Sequence, residues 1–193
     1  MDLDRLKRDQ VIRADIRDSE YVFNTTWGIF SPRGIDTGTR LLLERIEVNP
    51  GENCLDVGCG YGPIGLVMAR LSGTGGVTMV DKDFVAVEYA RKNAEANGLT
   101  NCEAMLSNGL SHLPPDARFD VIAANLPSNT GKELLDIMTV EARQHLVPGG
   151  RLYVVTINGL RDYMKKAFRD TFGHYKKLKQ GRGHAVAMTT RRG

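Results

Sequence analysis

The feature that most constrains the fold is a regular alternation of short apolar segments with amphipathic ones, which begins at residue 54. The apolar segments have the length of buried strands, and the segments between them repeat apolar residues at helical spacing. The predicted strands lie at about 54–57, 77–80, 103–106, 119–124 and 151–157. Strands that alternate with helices form right-handed βαβ units around a mostly parallel sheet. The alternation therefore predicts an α/β fold with helices on both faces of the sheet.

The two ends of the chain depart from this alternation. Residues 1–18 predict a weak amphipathic helix or an ordered arm, and Tyr21-Val22-Phe23 predicts a short strand. Near the other end, strands at about Tyr175–Lys179 and Ala185–Thr190 have no helix between them, which is typical of an antiparallel hairpin. Together with the five strands above, this hairpin predicts a seven-stranded, mostly parallel sheet.

Five helices are expected from the apolar spacing. They lie at about 37–46, 63–71, 84–96, 132–146 and 160–172. Asp36 or Thr37 is predicted to cap the first of them, and Phe84 and Leu134 are predicted on buried faces. The Val147-Pro148-Gly149-Gly150 segment predicts a turn.

The composition excludes several classes of protein. Apolar residues make up 41% of the chain and charged residues 25%, which are values of an ordinary folded domain. No apolar run approaches the roughly 20 residues that span a bilayer, and the charged N-terminus is not a secretory signal. The three cysteines form no C-x-x-C pair, and the four histidines have no metal-binding spacing. We therefore expect a cytoplasmic protein with no membrane association and no metal site, of undetermined oligomeric state.

Charge is distributed unevenly along the chain. From Arg161 onwards there are ten basic and two acidic residues, a net charge of +8, which leaves −5 for the rest because the whole chain carries +3. Such a basic segment is typical of a surface that contacts a polyanion. A solvated helix face with a charged tail is an equally good interpretation of the charge alone.

Polar side chains end three of the predicted strands, where α/β sheets bind their ligands. They are Asp56, Asp81 and Asn125. A glycine loop follows the first, and its Gly60-x-Gly62-x-x-Gly65 spacing also fits a dinucleotide. Because a carboxylate at Asp56 would repel a pyrophosphate, the loop favours a ligand with positive charge, such as the ammonium and sulfonium of S-adenosylmethionine.

The segment Leu55-Asp56-Val57-Gly58-Cys59-Gly60-Tyr61-Gly62-Pro63-Ile64-Gly65 resembles the first motif of class I S-adenosylmethionine-dependent methyltransferases. Within that class the chain is similar to the small-subunit ribosomal RNA guanine-N2 methyltransferases and their short single-domain relatives. The resemblance extends from Trp27 through Val80-Asp81-Lys82 and Asn125-Leu126-Pro127 to the Leu146–Val155 segment. It implies a Rossmann-like class I methyltransferase fold, with residues 1–36 as an N-terminal arm and lid and residues 37–193 as the methyltransferase domain.

The resemblance also implies which residues hold S-adenosylmethionine. Glycines would let the backbone approach the methionine portion, Asp56 would lie near its ammonium, and Asp81 would accept from both ribose hydroxyls. Lys82 would lie beside the adenosine, and Asn108 would face the adenine amine. The full set of implied cofactor residues is Asp56, Gly58, Cys59, Gly60, Gly62, Asp81, Lys82, Ser107, Asn108 and Asn125.

The Asn125-Leu126-Pro127-Ser128 segment occupies the position where amino methyltransferases carry asparagine, two prolines and an aromatic residue. In that pattern the asparagine oxygen and the next carbonyl accept the hydrogens of an acceptor amine, and the aromatic ring stacks on the base. Here Leu126 still offers a carbonyl and Pro127 still stiffens the turn, but Ser128 has no ring. Either Trp27 or Phe30 supplies the platform, or the acceptor is not a base amine.

These residues lead to one functional hypothesis and two alternatives. The hypothesis is methylation of guanine N2 in ribosomal or other structured RNA, with Asn125, Leu126 and Pro127 catalytic. Acceptor binding is assigned to Trp27, Phe30, Ser128, Lys176 and Lys177. The alternatives are methylation of a small molecule or a protein side chain, and a catalytically silent module that binds S-adenosylmethionine and RNA.

Overall fold

The computed structural model describes residues 9–127 and 131–193, and within them nine strands and five α-helices follow one another. The strands are β1 (Gln10–Ile16), β2 (Ser19–Thr25), β3 (Cys54–Val57), β4 (Val77–Asp81), β5 (Cys102–Leu106), β6 (Phe119–Asn125), β7 (Leu146–Ile157), β8 (Lys176–Gln180) and β9 (His184–Thr190). The helices are α1 (Thr37–Leu43), α2 (Pro63–Ser72), α3 (Phe84–Ala96), α4 (Lys132–His145) and α5 (Arg161–Phe172). No described helix has the length and apolar content that crossing a membrane requires.

Seven of the described strands form one sheet in the order β5-β4-β3-β6-β7-β9-β8. Neighbours from β5 to β7 are parallel, whereas β9 is antiparallel to both β7 and β8. The predicted seven-stranded sheet with a C-terminal hairpin is therefore confirmed. Because the chain runs outward from β3 to β5 and then returns to β6 on the other side of β3, the order reverses between β3 and β6. Ligands of α/β sheets bind at such a switch point.

The helices cover both faces of this sheet. Successive strand residues face opposite sides, so Cys54 and Val121 join one apolar cluster while Leu55 and Ile122 join the other. The first cluster also contains residues of α1, α2, α3 and β2, and the second contains residues of α4 and α5. The predicted arrangement of helices on both faces is thus confirmed.

The helix that was predicted as one alternative for residues 1–18 is wrong where the chain is described. Residues 10–16 form β1, which pairs in antiparallel fashion with β2. Arg17 and Asp18, between the strands, have φ angles of 50° and 59°, the positive values of a two-residue hairpin turn. Burial alternates along the second half of β1, with Ala14 and Ile16 facing inward. Period-two burial and this turn override the helical spacing of the apolar residues.

Two asparagines, Asn93 in α3 and Asn97 at its C-cap, attach the hairpin to the rest of the protein. The side chain of Asn97 accepts from the backbone N of Val22 at 3.0 Å and donates to its carbonyl at 2.7 Å. The side chain of Asn93 does the same with the backbone of Asn24, at 2.6 and 2.9 Å, and also donates to the Tyr61 carbonyl at 2.9 Å. Asn93 is fully buried and thereby links β2 to the loop that follows β3.

Three smaller predictions are corrected. Phe84 and Leu134 were expected on buried faces, but they are 63% and 51% exposed, because each lies one position away from the apolar stripe of its helix. The Val147–Gly150 segment was predicted as a turn that precedes the fifth strand. It instead lies within β7, where the pairing with β6 is irregular between Leu146, which pairs with Phe119, and Arg151, which pairs with Val121.

Candidate functional site

The three polar residues at the strand ends come together at the carboxyl edge of the sheet. Asp56 lies in β3, Asp81 ends the adjacent β4, and Asn125 ends β6 on the other side of β3. This edge is the switch point of the sheet, so the expected ligand position and the polar residues coincide.

The glycine loop after β3 has a backbone that other residues could not easily adopt. Gly58, Gly60 and Gly62 have φ angles of 72°, 55° and 94°, in the region that favours glycine. The loop is held in place because the N–H groups of Gly58 and Cys59 both donate to the Val80 carbonyl, at 2.8 and 3.0 Å. A Cβ at Gly58 or Gly60 would meet nothing within 4 Å, whereas one at Gly62 would collide with Leu66. The first two glycines therefore face an open cradle that a bound ligand can approach closely.

Asp81 ties this loop to β4. Its Oδ2 accepts from the Gly60 N–H at 2.9 Å, and its Oδ1 accepts from the Asp83 N–H at 3.0 Å. Asp83, not Asp81, caps α3 by accepting from Val85 at 2.8 Å. Asp81 is therefore a partly exposed carboxylate at the strand end, which is where a ribose acceptor is needed.

Asp56 is fully buried beneath the glycine loop. Its Oδ2 accepts from the Gly65 N–H at 2.8 Å, in the first turn of α2, where the N-cap Gly62 has no side chain to do so. Its Oδ1 is buried without a partner among the described residues. Burial, together with the negative charge of Asp81, raises the pKa of Asp56 to about 7, although the Gly65 hydrogen bond opposes the shift. A buried carboxylate oxygen without a donor fits a cationic ligand group, as S-adenosylmethionine requires.

The remaining implied cofactor residues lie on or beside this edge. Ser107 is buried and donates its backbone N–H to the Asp81 carbonyl at 2.8 Å, while Asn108 and Lys82 are exposed. The thiol of Cys59 faces the apolar core, and burial raises its pKa well above the ordinary value. Because the sulfur points into the core, only the backbone of Cys59 lies beside the cradle.

Asn125 is held in one orientation by residues far away in the sequence. Its Nδ2 donates to Oδ2 of Asp36 and to Oγ1 of Thr39, both at 2.9 Å. Asp36 also caps α1, accepting from the Thr39 N–H at 3.1 Å. Because the amide donors are both used, Oδ1 of Asn125 remains as an acceptor with no donor among the described residues. Leu126 is fixed beside it by a 3.0 Å hydrogen bond from its N–H to the Val155 carbonyl.

Two aromatic side chains stand exposed on the lid, which we define as residues 26–36. Trp27 and Phe30 are each 58% exposed. The lid is fastened by hydrogen bonds from Thr25 Oγ1 to the Pro32 carbonyl and from Ser31 Oγ to the Gly34 carbonyl, both 2.7 Å. Ser128, the last residue of the predicted acceptor motif, lies outside the described residues.

The two lysines predicted to bind the acceptor lie farther from this edge. Lys176 and Lys177 are exposed on β8, and Lys176 is level with Met188 and, through β9, with Tyr153. Tyr153 is four residues before the end of β7, which corresponds to about 13 Å along the strand. Part of the basic segment is also neutralised locally, since Lys166 pairs with Asp170 at 2.6 Å and Lys179 with Glu44 at 3.5 Å.

Comparison with known proteins shows the family of this chain. The family model of the methyltransferase small domain matches residues 20–188. The chain is 36% identical over 141 residues to the Bacillus subtilis protein YbxB, covering 72% of this chain and 70% of that one. It is 32% identical over 182 residues to ribosomal RNA small subunit methyltransferase C of Hamiltonella defensa, covering 92% of this chain and 52% of that protein.

A solved structure extends the similarity to three dimensions. The Thermus thermophilus 16S rRNA N2 G1207 methyltransferase, in complex with AdoMet and guanosine, superposes with a TM-score of 0.86 at 29% identity, covering 95% of this chain and 51% of that one. The present chain belongs to the methyltransferase small-domain family of class I methyltransferases, with S-adenosylmethionine as cofactor. It spans about half the length of the ribosomal RNA methyltransferases that it matches.

The sequence interpretation missed the residues that orient Asn125. Asp36 was expected only as a helix cap, and Thr39 and Gly38 were given no role. A Cβ at Gly38 would lie 2.9 Å from Oδ2 of Asp36 and 3.0 Å from Cδ2 of His184, so the glycine allows close packing there. The only signal was the Asp36-Thr37-Gly38-Thr39 segment itself, and nothing in it points to a partner 86 to 89 residues away.

Proposed function

We propose that this methyltransferase methylates an exocyclic base amine, N2 of guanine, in ribosomal or other structured RNA. The observation that carries the proposal is the fixed amide of Asn125, whose nitrogen is held by Asp36 and Thr39 while its oxygen has no donor among the described residues. A neutral acceptor oxygen suits the N–H groups of an uncharged amine. The similarity to ribosomal RNA methyltransferases supports the choice of RNA.

The reaction needs little covalent chemistry from the protein. When bound, S-adenosylmethionine supplies an electrophilic methyl group on its sulfonium. The Asn125 oxygen and the Leu126 carbonyl accept the two amine hydrogens, which favours a pyramidal nitrogen with an available lone pair. Residues Asp56, Gly58, Gly60, Asp81 and Asn108 hold the cofactor. Catalysis then consists of positioning and preorganised hydrogen bonding.

The acceptor base requires a stacking surface, and the lid provides two rings for it. Trp27 and Phe30 are exposed on a segment that leads directly to Asp36, which holds Asn125. We therefore retain residues 1–36 as arm and lid and residues 37–193 as the methyltransferase domain. The described part of the arm packs against that domain through Asn93 and Asn97.

The experiment that tests the proposal uses labelled S-adenosylmethionine with separate fractions of total RNA, protein and small metabolites from cells. Label in RNA that digests to N2-methylguanosine supports the proposal. Label in protein or metabolites alone establishes the first alternative, a methyltransferase for another substrate. Tight cofactor binding with no label in any fraction establishes the second, a silent binding module.

The basic segment allows a second test of the RNA assignment. Its lysines are expected to contact phosphates, so RNA affinity should fall steeply with salt, and each lost contact should reduce the slope by about 0.7–0.9. Lys176, Lys177 and Lys179 would be changed to Gln together. The matched control changes Arg13, Arg45 and Arg118, three exposed arginines outside the segment, to Gln. If RNA affinity depends equally on salt in the two triple variants, the lysines of the basic segment contact no phosphates.

A further inference from the structure

The turn that joins β8 and β9 lies beside the acceptor side of the site. Its residues are Gly181, Arg182 and Gly183, and we call it the 181–183 turn. His184, which follows the turn, pairs with Ile157 at the carboxyl end of β7. Asn125 is level with Val155 and Val186, so His184 lies two strand spacings across the sheet from Asn125, about 10 Å, and two residues along it, about 7 Å. The ring of His184 and the carboxylate of Asp36 approach each other across Gly38.

Asn158 fixes the backbone of this turn. Its Nδ2 donates to the carbonyls of Gly181 and Arg182, at 3.2 and 2.9 Å, and its N–H donates to the Gly183 carbonyl at 2.9 Å. Gly181 also donates to the His184 carbonyl at 2.8 Å. All three turn carbonyls are therefore engaged, so the conformation that presents Arg182 is preorganised.

Several polar groups of the 181–183 turn and of its neighbours Asn158 and His184 have no hydrogen-bond partner among the described residues, and most of them are donors. Within residues 9–127 and 131–193, the N–H groups of Arg182 and Gly183 have no acceptor, and the exposed guanidinium of Arg182 forms no ion pair. Two buried side-chain atoms of the same corner, Oδ1 of Asn158 and Nδ1 of His184, also have no partner in the described part of the chain. The exposed guanidinium and the two exposed N–H groups are donors on one fixed turn and suit an anion, whereas the buried Oδ1 of Asn158 is an acceptor and does not bind one.

We propose that the 181–183 turn is a binding site for the phosphate next to the nucleotide that is methylated, with Arg182 as its main contact. A guanidinium fork matches two phosphate oxygens, and the two free N–H groups add donors on the same turn. The inference rests on the proposed function, because it requires a nucleotide acceptor at Asn125. It assigns phosphate recognition at the acceptor to Arg182 rather than to Lys176 and Lys177, because the turn lies at the carboxyl edge of the sheet whereas Lys176 is level with Tyr153, toward the other edge.

Calorimetry with two small probes tests this assignment. Guanosine carries no phosphate, whereas guanosine 3′,5′-bisphosphate carries one on each side of the nucleoside. Wild-type protein should bind the bisphosphate roughly tenfold or more tightly than guanosine, since a hydrogen bond to a charged group contributes on that scale. The Arg182→Gln variant should lose this preference and keep the affinity for guanosine. Arg182→Lys should retain only part of it, because an ammonium cannot bind bidentately.

Arg192→Gln is the matched control. Arg192 is exposed, and its substitution removes the same charge as Arg182→Gln. It lies beyond the other end of β9, where Thr190 pairs with Arg151. The control should show the wild-type preference. An unchanged preference in Arg182→Gln, or an equal loss in Arg192→Gln, overturns the inference. Wild-type protein that binds guanosine and bisphosphate equally also overturns it but leaves the proposed function intact, whereas binding of neither probe contradicts the proposed function itself.

Discussion

The proposed cofactor side and the proposed acceptor side of this site are built in different ways. On the cofactor side, Asp56, the glycine loop and Asp81 come from one continuous stretch of fewer than 30 residues, and each is held by a neighbour in that stretch. On the acceptor side, Asn125 is oriented by Asp36 and Thr39, and His184, which follows the 181–183 turn, packs near Asp36 at Gly38, so three distant segments meet. The cofactor side is therefore encoded locally, and the acceptor side exists only in the folded chain.

The two sides also differ in charge. The cofactor side presents carboxylates, one of which has a buried oxygen with no hydrogen-bond donor in the described part of the chain. The acceptor side presents the amide oxygen of Asn125 and, farther out, arginine and aromatic side chains. A carboxylate attracts the cationic groups of S-adenosylmethionine, whereas a neutral oxygen can hold an amine without suppressing its nucleophilicity. Variants on each side should therefore separate cofactor binding from turnover.

The largest difference between the effect on turnover and the effect on cofactor binding is expected for Asn125→Ala. Turnover should fall by about two to three orders of magnitude, the cost of losing one preorganised hydrogen-bonding group, while cofactor affinity stays nearly unchanged. Asn125→Asp should also be slow, because it adds a charge and loses the donors to Asp36 and Thr39. Single-turnover kinetics together with calorimetry measure both quantities.

Asn101→Ala is a suitable control for that experiment. The Nδ2 of Asn101 also donates to two protein oxygens, the carbonyls of Ala69 and Gly75, both at 2.9 Å. It lies before β5, at the opposite edge of the sheet, so its loss should lower stability and leave turnover unchanged. Wild-type turnover in Asn125→Ala would rule out the base-amine mechanism, whatever the fold.

Asp81→Ala should give the converse result on the cofactor side. Losing the carboxylate that we propose as the ribose acceptor, and that accepts from Gly60, should weaken S-adenosylmethionine binding by about 2–3 kcal/mol, as measured by calorimetry. Asp83→Ala is the neighbouring control, since it removes only the cap of α3 and should cost about 1 kcal/mol of stability. Equal cofactor affinities in wild type and Asp81→Ala would overturn the role given to Asp81.

The lid provides the next test. Truncating whichever of Trp27 and Phe30 stacks on the acceptor base should weaken acceptor binding by about 1–3 kcal/mol and leave cofactor affinity unchanged. Because both rings are largely exposed, the stability of either alanine variant should change by only about 0.5 kcal/mol. Leu134→Ala, a comparably exposed apolar truncation on α4, serves as control. If neither ring matters to acceptor binding, the lid is not the stacking surface.

The same contrast explains what could be predicted from the sequence. The alternation of strands and helices along the chain from β3 onwards, the hairpin at the end of the chain and the glycine loop follow from periodicity and from residues adjacent in sequence, so they were predicted correctly. The hydrogen bond between Asn125 and Asp36, the link from Asn93 to Tyr61 and the bonds from Asn158 to the 181–183 turn join residues 23 to 89 positions apart, and no sequence periodicity predicts them. The strand β1 was missed as a definite element because its apolar residues fit helical and strand spacing equally well.

The smallest expected effect concerns pH and Asp56. Burial raises the pKa of Asp56 from 3.8 to about 7, so this group favours the folded state most below about pH 4, and its contribution is lost as the pH rises through 7. If the ammonium of the cofactor binds the ionised carboxylate, affinity should rise with pH below that pKa by up to about tenfold per unit, or about 1.4 kcal/mol. Measuring between pH 5 and 7 keeps an α-amino group protonated. In Asp56→Asn, whose amide oxygen can still accept from Gly65, both the stability loss and the affinity gain should disappear. If cofactor affinity has the same pH profile in wild type and in Asp56→Asn, the role of Asp56 is only to cap α2. Cofactor binding would then depend on Asp81 and the glycine loop alone.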